Sequence, residues 1–198
     1  MSSLLKLVVF ASGSGTTLQT VINNIRCGEI DAKISLVVSN NAEAGALTRA
    51  KIAGINTHVI KAEANQTSEI DFELLEVIEP HEPDLILLLG YLWKVGRKLT
   101  RRYSRQIVNT HPALLPDFGG PKMYGDRVHA AVLATGKKES GATLHYVVDD
   151  DEYDTGPIIC QTRVKVELSD TVQTLSARVQ AAEKIQLVEW LQAFSFTS

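Results

Sequence analysis

Residues 4–25 read LLKLVVFASGSGTTLQTVINNI. The aliphatic run 4–11 has no apolar–polar alternation, which is the pattern of a strand covered on both faces in a parallel sheet. Gly13 and Gly15 then break it, and Leu18, Val21, Ile22 and Ile25 follow at helical spacing. A strand, a glycine turn and an amphipathic helix in that order predict the first unit of a doubly wound α/β sheet.

Working outward, ISLVV (34–38) and LILLL (85–89) repeat the unalternated strand pattern, and NTHVI (56–60) adds a shorter strand. Between them lie helical segments: AEAGALTRAKIAG, stopped by Gly54, and SEIDFELLEVIEP, capped by Ser68 before Ile70, Leu74, Leu75 and Ile78. From residue 107 the character changes. IVNTHP, GATLHYVV and PIICQTRVKVE read as strands that include an antiparallel or mixed pair, a helix near 127–136 intervenes, and a long helix over 171–194 closes the pattern. Ser169 or Asp170 is the expected cap of that helix, with Leu175, Val179 and Ala182 facing inward. No repeat, low-complexity tract or linker separates the halves, so one domain over 1–198 with a single mostly parallel sheet is expected.

Composition narrows the partners. The chain has 198 residues, a formal net charge of −3, 44% hydrophobic and 22% charged residues, which suits one packed domain and gives no general basic field for nucleic acid. Cys27 and Cys160 have neither metal-knuckle spacing nor disulfide density and are expected as reduced thiols, with no metal. The apolar run at 4–11 is too short for a membrane span and is expected as a buried strand in a cytoplasmic protein.

Three stretches carry candidate chemistry. In ASGSGTTLQ, the glycines permit positive φ and close approach, while Ser14, Thr16 and Thr17 set hydroxyls beside free helix-terminal amides. A small phosphate ester suits such a turn, and a plain tight turn explains it equally; the third glycine of the dinucleotide fingerprint is displaced and no phosphate-loop lysine follows. In IVNTHPALLP (107–116), Asn109 and His111 project to one side from the carboxyl end of a strand, where open α/β sheets place ligands. An amide donor beside a titratable ring, stiffened by Pro112 and Pro116, fits oxyanion stabilisation and proton transfer at an acyl carbon; a hydrogen-bonded structural histidine is the competing reading. In VVDDDEYDTGPII, Asp149, Asp150, Asp151 and Glu152 read as a solvated loop, whereas the turn Thr155-Gly156-Pro157 fixes Asp154.

The remaining histidines are weaker candidates. His58 and His145 lie in apolar strands and read as near-core groups, and His129 as a cleft or helix-end residue. Tyr91 and Trp93, after Gly90, either wall a pocket for a flat ring or pack in the core. DFGGPKMYGD (117–126) reads as a loop over the site or an irregular connection.

The order of VVFASGSGTTLQ, VVSNNAEAGALTRAKIAGINTHVI, PDLILLLGYLWKV, IVNTHPALLPDFGG, DTGPII and ARVQAAEKIQLVEW resembles the folate-dependent formyltransferase family over essentially the whole chain. The length and the SGSGTT loop resemble its members acting on glycinamide ribonucleotide. The resemblance implies transfer of the formyl group of 10-formyltetrahydrofolate to the amine of glycinamide ribonucleotide in purine biosynthesis, by a monomer or homodimer without metal. It implies a catalytic trio of Asn109, a protonated His111, and Asp154. It assigns Gly15, Thr16, Thr17, Gly90 and Glu183 to the phosphate and ribonucleotide, within a half spanning about 1–105 for the former. Trp93, Lys94, Val95, Asp149 and Asp150 are assigned to folate, with segments 90–95 and 149–154 enclosing the pterin and about 106–198 forming the catalytic and folate half. Trp93 stands where the family often has a basic residue, Thr17 where many members carry Asn, and the acidic loop is about two residues longer than in some relatives.

Overall fold

The computed structural model describes residues 4–61, 63, 67–149 and 152–195. Strands β1 (Leu5–Phe10), β2 (Ala32–Ser39), β3 (Asn56–Val59), β4 (Leu85–Leu88), β5 (Ile107–His111), β6 (Glu139–Tyr146) and β7 (Ile158–Lys165) form one sheet in the order β3-β2-β1-β4-β5-β6-β7. The first five run parallel, and β6 and β7 are antiparallel to their neighbours. The helices are α1 (Thr16–Arg26), α2 (Gly45–Ile52), α3 (Thr67–Ile78), α4 (Arg97–Arg102), α5 (Asp126–Ala134) and α6 (Val172–Ser195).

The unalternated strands are buried on both faces, as expected. Along β1, Leu5, Leu7 and Val9 join the cluster under α1, α2 and α6, and Val8 and Phe10 join the opposite cluster under α3 and α4. The period of two along a strand makes this division, so apolar residues run unbroken from Leu7 to Phe10, and only Lys6, near the strand's start, reaches out to pair with Glu82. The same split recurs in β4, with Leu85 and Leu87 on one face and Ile86 and Leu88 on the other. Strand order reverses between β1 and β4, and the crevice beyond their carboxyl ends is where such sheets bind ligands.

The cap of α6 differs from expectation. Thr171 takes that place: its Oγ1 accepts the Thr174 amide at 3.2 Å, and its own amide donates to Thr174 Oγ1 at 2.9 Å. Asp170 is instead engaged by the Arg178 guanidinium, two turns along the helix at 2.7 Å, an ion pair that holds its carboxyl well below the usual carboxylate range. Leu175 and Val179 are buried as expected, while Ala182 is only half-buried. Helix α3 begins at Thr67, so Ser68 lies in its first turn. Among the described residues no helix is long and apolar enough to cross a membrane.

Candidate active site

A cleft of about 770 Å³ opens along the carboxyl ends of β1, β4 and β5, within the size range of small-molecule sites. Its walls come from the turn after β1, the segment after β4, the end of β5, the loops flanking α5, the β6–β7 connection and one face of α6.

At one end is the glycine turn. Gly15 has φ +72°, and a Cβ there would lie 2.5 Å from the Ala46 Cα, so both the backbone conformation and the packing demand glycine. Gly15, Thr16 and Thr17 line the cleft at the start of α1, where the first amides have no intrahelical partner. The turn is stitched to the segment after β4: the Ser12 amide donates to the Gly90 carbonyl at 3.1 Å, and Ser12 Oγ accepts the Leu92 amide at 2.9 Å. Above the turn, Thr17 Oγ1 donates to Glu183 Oε1 at 3.2 Å. Burial pushes the Glu183 carboxyl up, against hydrogen bonds from Thr17 and Thr110 that pull it down. One helical turn earlier on the same face of α6, Gln180 also lines the cleft; sequence reading did not single it out.

At the centre, Asn109 and His111 project from β5 on one side, as the period of two requires. Asp154 reaches them from the β6–β7 connection. Its Oδ2 lies 3.5 Å from His111 Nδ1 and accepts the Gly120 amide at 3.0 Å, while its Oδ1 accepts from Asn109 Nδ2 at 3.4 Å. His111 Nε2 donates to the Phe118 carbonyl at 2.9 Å, so the ring is held from both sides.

The electrostatics follow from this packing. Burial holds the His111 imidazole below its ordinary value, and the Asp154 charge and the Phe118 carbonyl offset that only in part. The protonated His111 that the resemblance implies for the intermediate is thus opposed by burial and favoured by the Asp154 carboxylate and the Phe118 carbonyl. Burial alone would raise the Asp154 carboxyl, but the His145 and His111 imidazoles beside it and the Gly120 amide together hold it below the usual carboxylate range. Asp154 is a fixed anion beside the ring, able to stabilise positive charge when it develops there.

Sequence reading missed His145 as part of this cluster. Its Nδ1 donates to the Tyr146 carbonyl at 3.0 Å, which leaves Nε2 to accept from Asn109 Nδ2 at 3.0 Å. The β5–β6 register pairs Asn109 with His145, a long-range alignment without any local signal. His129, on α5, also lines the cleft; it is buried, its Nδ1 has no hydrogen-bond partner, and burial lowers its pKa.

At the far end the wall is apolar and aromatic. Gly90, Tyr91, Leu92, Trp93, Lys94 and Val95 line it opposite Val147, Val148 and Tyr153, with Lys94 Nζ 5.2 Å from the Tyr153 ring centroid. The Tyr91 ring packs edge-on against Phe10 at 5.1 Å, so it serves core and cleft together. Asp149 does not line the cleft: it pairs with Arg101 Nε at 2.6 Å and Arg97 Nε at 3.5 Å on α4. Asp150 and Asp151 lie outside the described residues. His58 makes a pair with Glu73 at 2.7 Å, away from the cleft.

For this α/β sheet with an amide, imidazole and carboxylate cluster beside a glycine turn, comparison with known proteins gives the class. The formyl transferase family matches residues 5–191, and the chain belongs to that family. It is 37% identical over 189 residues to the chloroplastic phosphoribosylglycinamide formyltransferase of Vigna unguiculata, covering 95% of this chain and 60% of the plant protein. The chain thus spans about three fifths of that relative's length. To the phosphoribosylglycinamide formyltransferase of Escherichia coli it is 35% identical over 180 residues, covering 90% of this chain and 82% of the relative. The structure of the phosphoribosylglycinamide formyltransferase of Coxiella burnetii superposes with a TM-score of 0.89 at 38% identity, over 98% of this chain and 89% of that one.

Proposed function

We propose that the chain transfers the formyl group of 10-formyltetrahydrofolate to the amine of glycinamide ribonucleotide, a step of purine biosynthesis. One observation carries this reading. A single cleft holds the Asn109–His111–Asp154 cluster between a helix-terminal glycine turn suited to a phosphate ester and an apolar, aromatic wall suited to a flat ring. Relatives over 90% or more of this chain bear the name of that activity.

The phosphate of the acceptor rests on the amides of Gly15, Thr16 and Thr17, and Glu183 faces the ribose hydroxyls. The folate ring occupies the wall from Gly90 to Val95, opposite Val147 and Val148. Both reactants then present their reacting groups to the cluster, which removes much of the entropic cost of their encounter. The acceptor nitrogen attacks the formyl carbon, and the carbonyl oxygen becomes an oxyanion in a tetrahedral intermediate. Asn109 and His111 lie where they can bind that oxygen, and Asp154 favours the protonated ring as charge accumulates. The proton lost by the attacking nitrogen passes to the departing folate nitrogen, with Asp154 and His111 as relay.

The test is direct. Purified protein incubated with glycinamide ribonucleotide and 10-formyltetrahydrofolate is expected to yield formylglycinamide ribonucleotide and tetrahydrofolate in equal amounts. Tetrahydrofolate and formate without a formylated acceptor would identify a hydrolase instead, and no turnover would overturn the assignment.

A further inference from the structure

The glycine turn has no lysine of its own, yet it is gripped from behind by α2. Three successive carbonyls of the turn are engaged on the protein side. Gly13 O accepts the Ala46 amide at 3.1 Å, Ser14 O accepts Arg49 Nε at 2.8 Å, and Gly15 O accepts the Gln19 amide at 2.9 Å. Arg49 Nη1 also donates to Gln19 Oε1 at 3.2 Å, which fixes the guanidinium plane between α2 and α1. Gly45 and Ala46 lie against Ser14 and Gly15 so closely that the turn has no room to shift towards α2.

We propose that Arg49 is a positioning residue and the resident cation of the phosphate site: it holds the Ser14 carbonyl away from the ligand and places a positive charge behind the turn. The inference rests on the ribonucleotide reading of the cleft. Two physical facts carry it. A peptide carbonyl turned towards a phosphate would repel it, and a rotation about Ser14 is what the Arg49 bond blocks. Amides at a helix start bind anions through partial charges only, and arginine supplies a full one that no pH in the working range removes. Arg49 is absent from the cleft wall, so it acts through the turn and not by touching the ligand.

The charge itself can be isolated by removing it from either side. Steady-state constants are measured for wild type, Arg49→Gln and Arg49→Lys with glycinamide ribonucleotide and with its dephosphorylated riboside. Arg49→Gln is expected to raise KM for the ribonucleotide about tenfold, the scale of one partly screened charge, with kcat, the folate KM and the riboside KM unchanged. Arg49→Lys keeps the charge but not the planar fork, and its KM is expected to fall between the two. Equal increases for ribonucleotide and riboside would reduce Arg49 to a structural role and overturn the proposal, as would no change for either. If the wild type formylated neither compound, the functional reading would fall alone. Calorimetric titration with inorganic phosphate then decides for Arg49, where a weaker Kd in Arg49→Gln supports it and an equal Kd overturns it.

Discussion

His111 Nδ1 and Asp154 Oδ2 lie 3.5 Å apart, and Asp154 reaches that position from a left-handed backbone conformation, φ +60°. Such a conformation is uncommon outside glycine, although Asp and Asn tolerate it better than other residues. The β6–β7 connection therefore holds a mildly strained residue at the point where its carboxylate meets the imidazole, the Gly120 amide and Asn109.

Asp154→Asn keeps the size and the tolerance for positive φ while removing the charge. We expect kcat to fall by ~10²–10⁴, the range for a lost proton-transfer or charge-supporting group, with KM for both substrates little changed. Asp154→Ala also loses the short polar side chain that lets Asp and Asn tolerate the left-handed region, whose cost for an ordinary residue is about 1–2 kcal/mol. Urea denaturation should therefore separate the two variants although their activities are equally low. An Asn variant with wild-type kcat would remove Asp154 from the reaction.

Thr143 is a second constraint on the same imidazole. Its hydroxyl is fully buried, donates to Ala113 O at 2.6 Å, and accepts the Leu115 amide at 3.0 Å and Gln161 Nε2 at 2.9 Å. These bonds pin the proline-bounded loop that brings the Phe118 carbonyl to His111. Thr143→Val strands the buried Leu115 amide and the Ala113 carbonyl, at about 1–3 kcal/mol for each unsatisfied group, while Gln161 Nε2 keeps its bond to the Leu115 carbonyl at 2.9 Å. The expected result is a lower urea midpoint together with a reduced kcat and near-normal KM values. A variant equally stable to wild type would show that the loop holds its shape without these bonds.

These elements also show what was legible in the chain. The strand, glycine turn and helix of residues 4–25 were readable because burial on both faces leaves a local signature, and Asn109 with His111 because a period of two is local too. His145 was not readable, since only the β5–β6 register makes it a partner of Asn109. Asp149 looked like its acidic neighbours, and only the position of α4 turns it to Arg97 and Arg101. The cap of α6 was misplaced by one or two residues because Arg178 captures Asp170 and leaves the role to Thr171. In each case the deciding partner lies outside the local pattern.

Gly15→Ala tests the turn itself. The substitution combines left-handed strain of about 1–2 kcal/mol with a contact on the Ala46 backbone, and forced overpacking costs about 1–3 kcal/mol. A destabilisation of about 2–5 kcal/mol is expected in urea. In whatever fraction remains folded, ribonucleotide KM should rise while folate binding, measured by fluorescence titration, stays intact. Unchanged ribonucleotide KM would show that the amides of this turn carry no part of the substrate.

Two of the three buried imidazoles of the cleft predict how the fold responds to acid. His111 and His129 are both held below their ordinary value by burial, so near pH 6 the unfolded chain binds more protons than the native one. Stability then rises with pH through this range. Their contribution is complete above about pH 6.5, the ordinary histidine value, and is lost as pH falls towards the lowered native values. Asp154, also lowered, acts in the same direction but only below the ordinary carboxylate range near pH 4, whereas the raised Glu183 and Asp71 carboxyls act in the opposite direction above it, so a histidine variant is needed to read an imidazole. As pH falls from 7.5 to 5, the thermal midpoint of His129→Asn should lose less than that of wild type, because one titration is removed. His129 carries an unpartnered Nδ1 in the native state, so its replacement removes no hydrogen bond from that atom. Parallel pH profiles for wild type and His129→Asn would show that His129 binds its proton equally in both states.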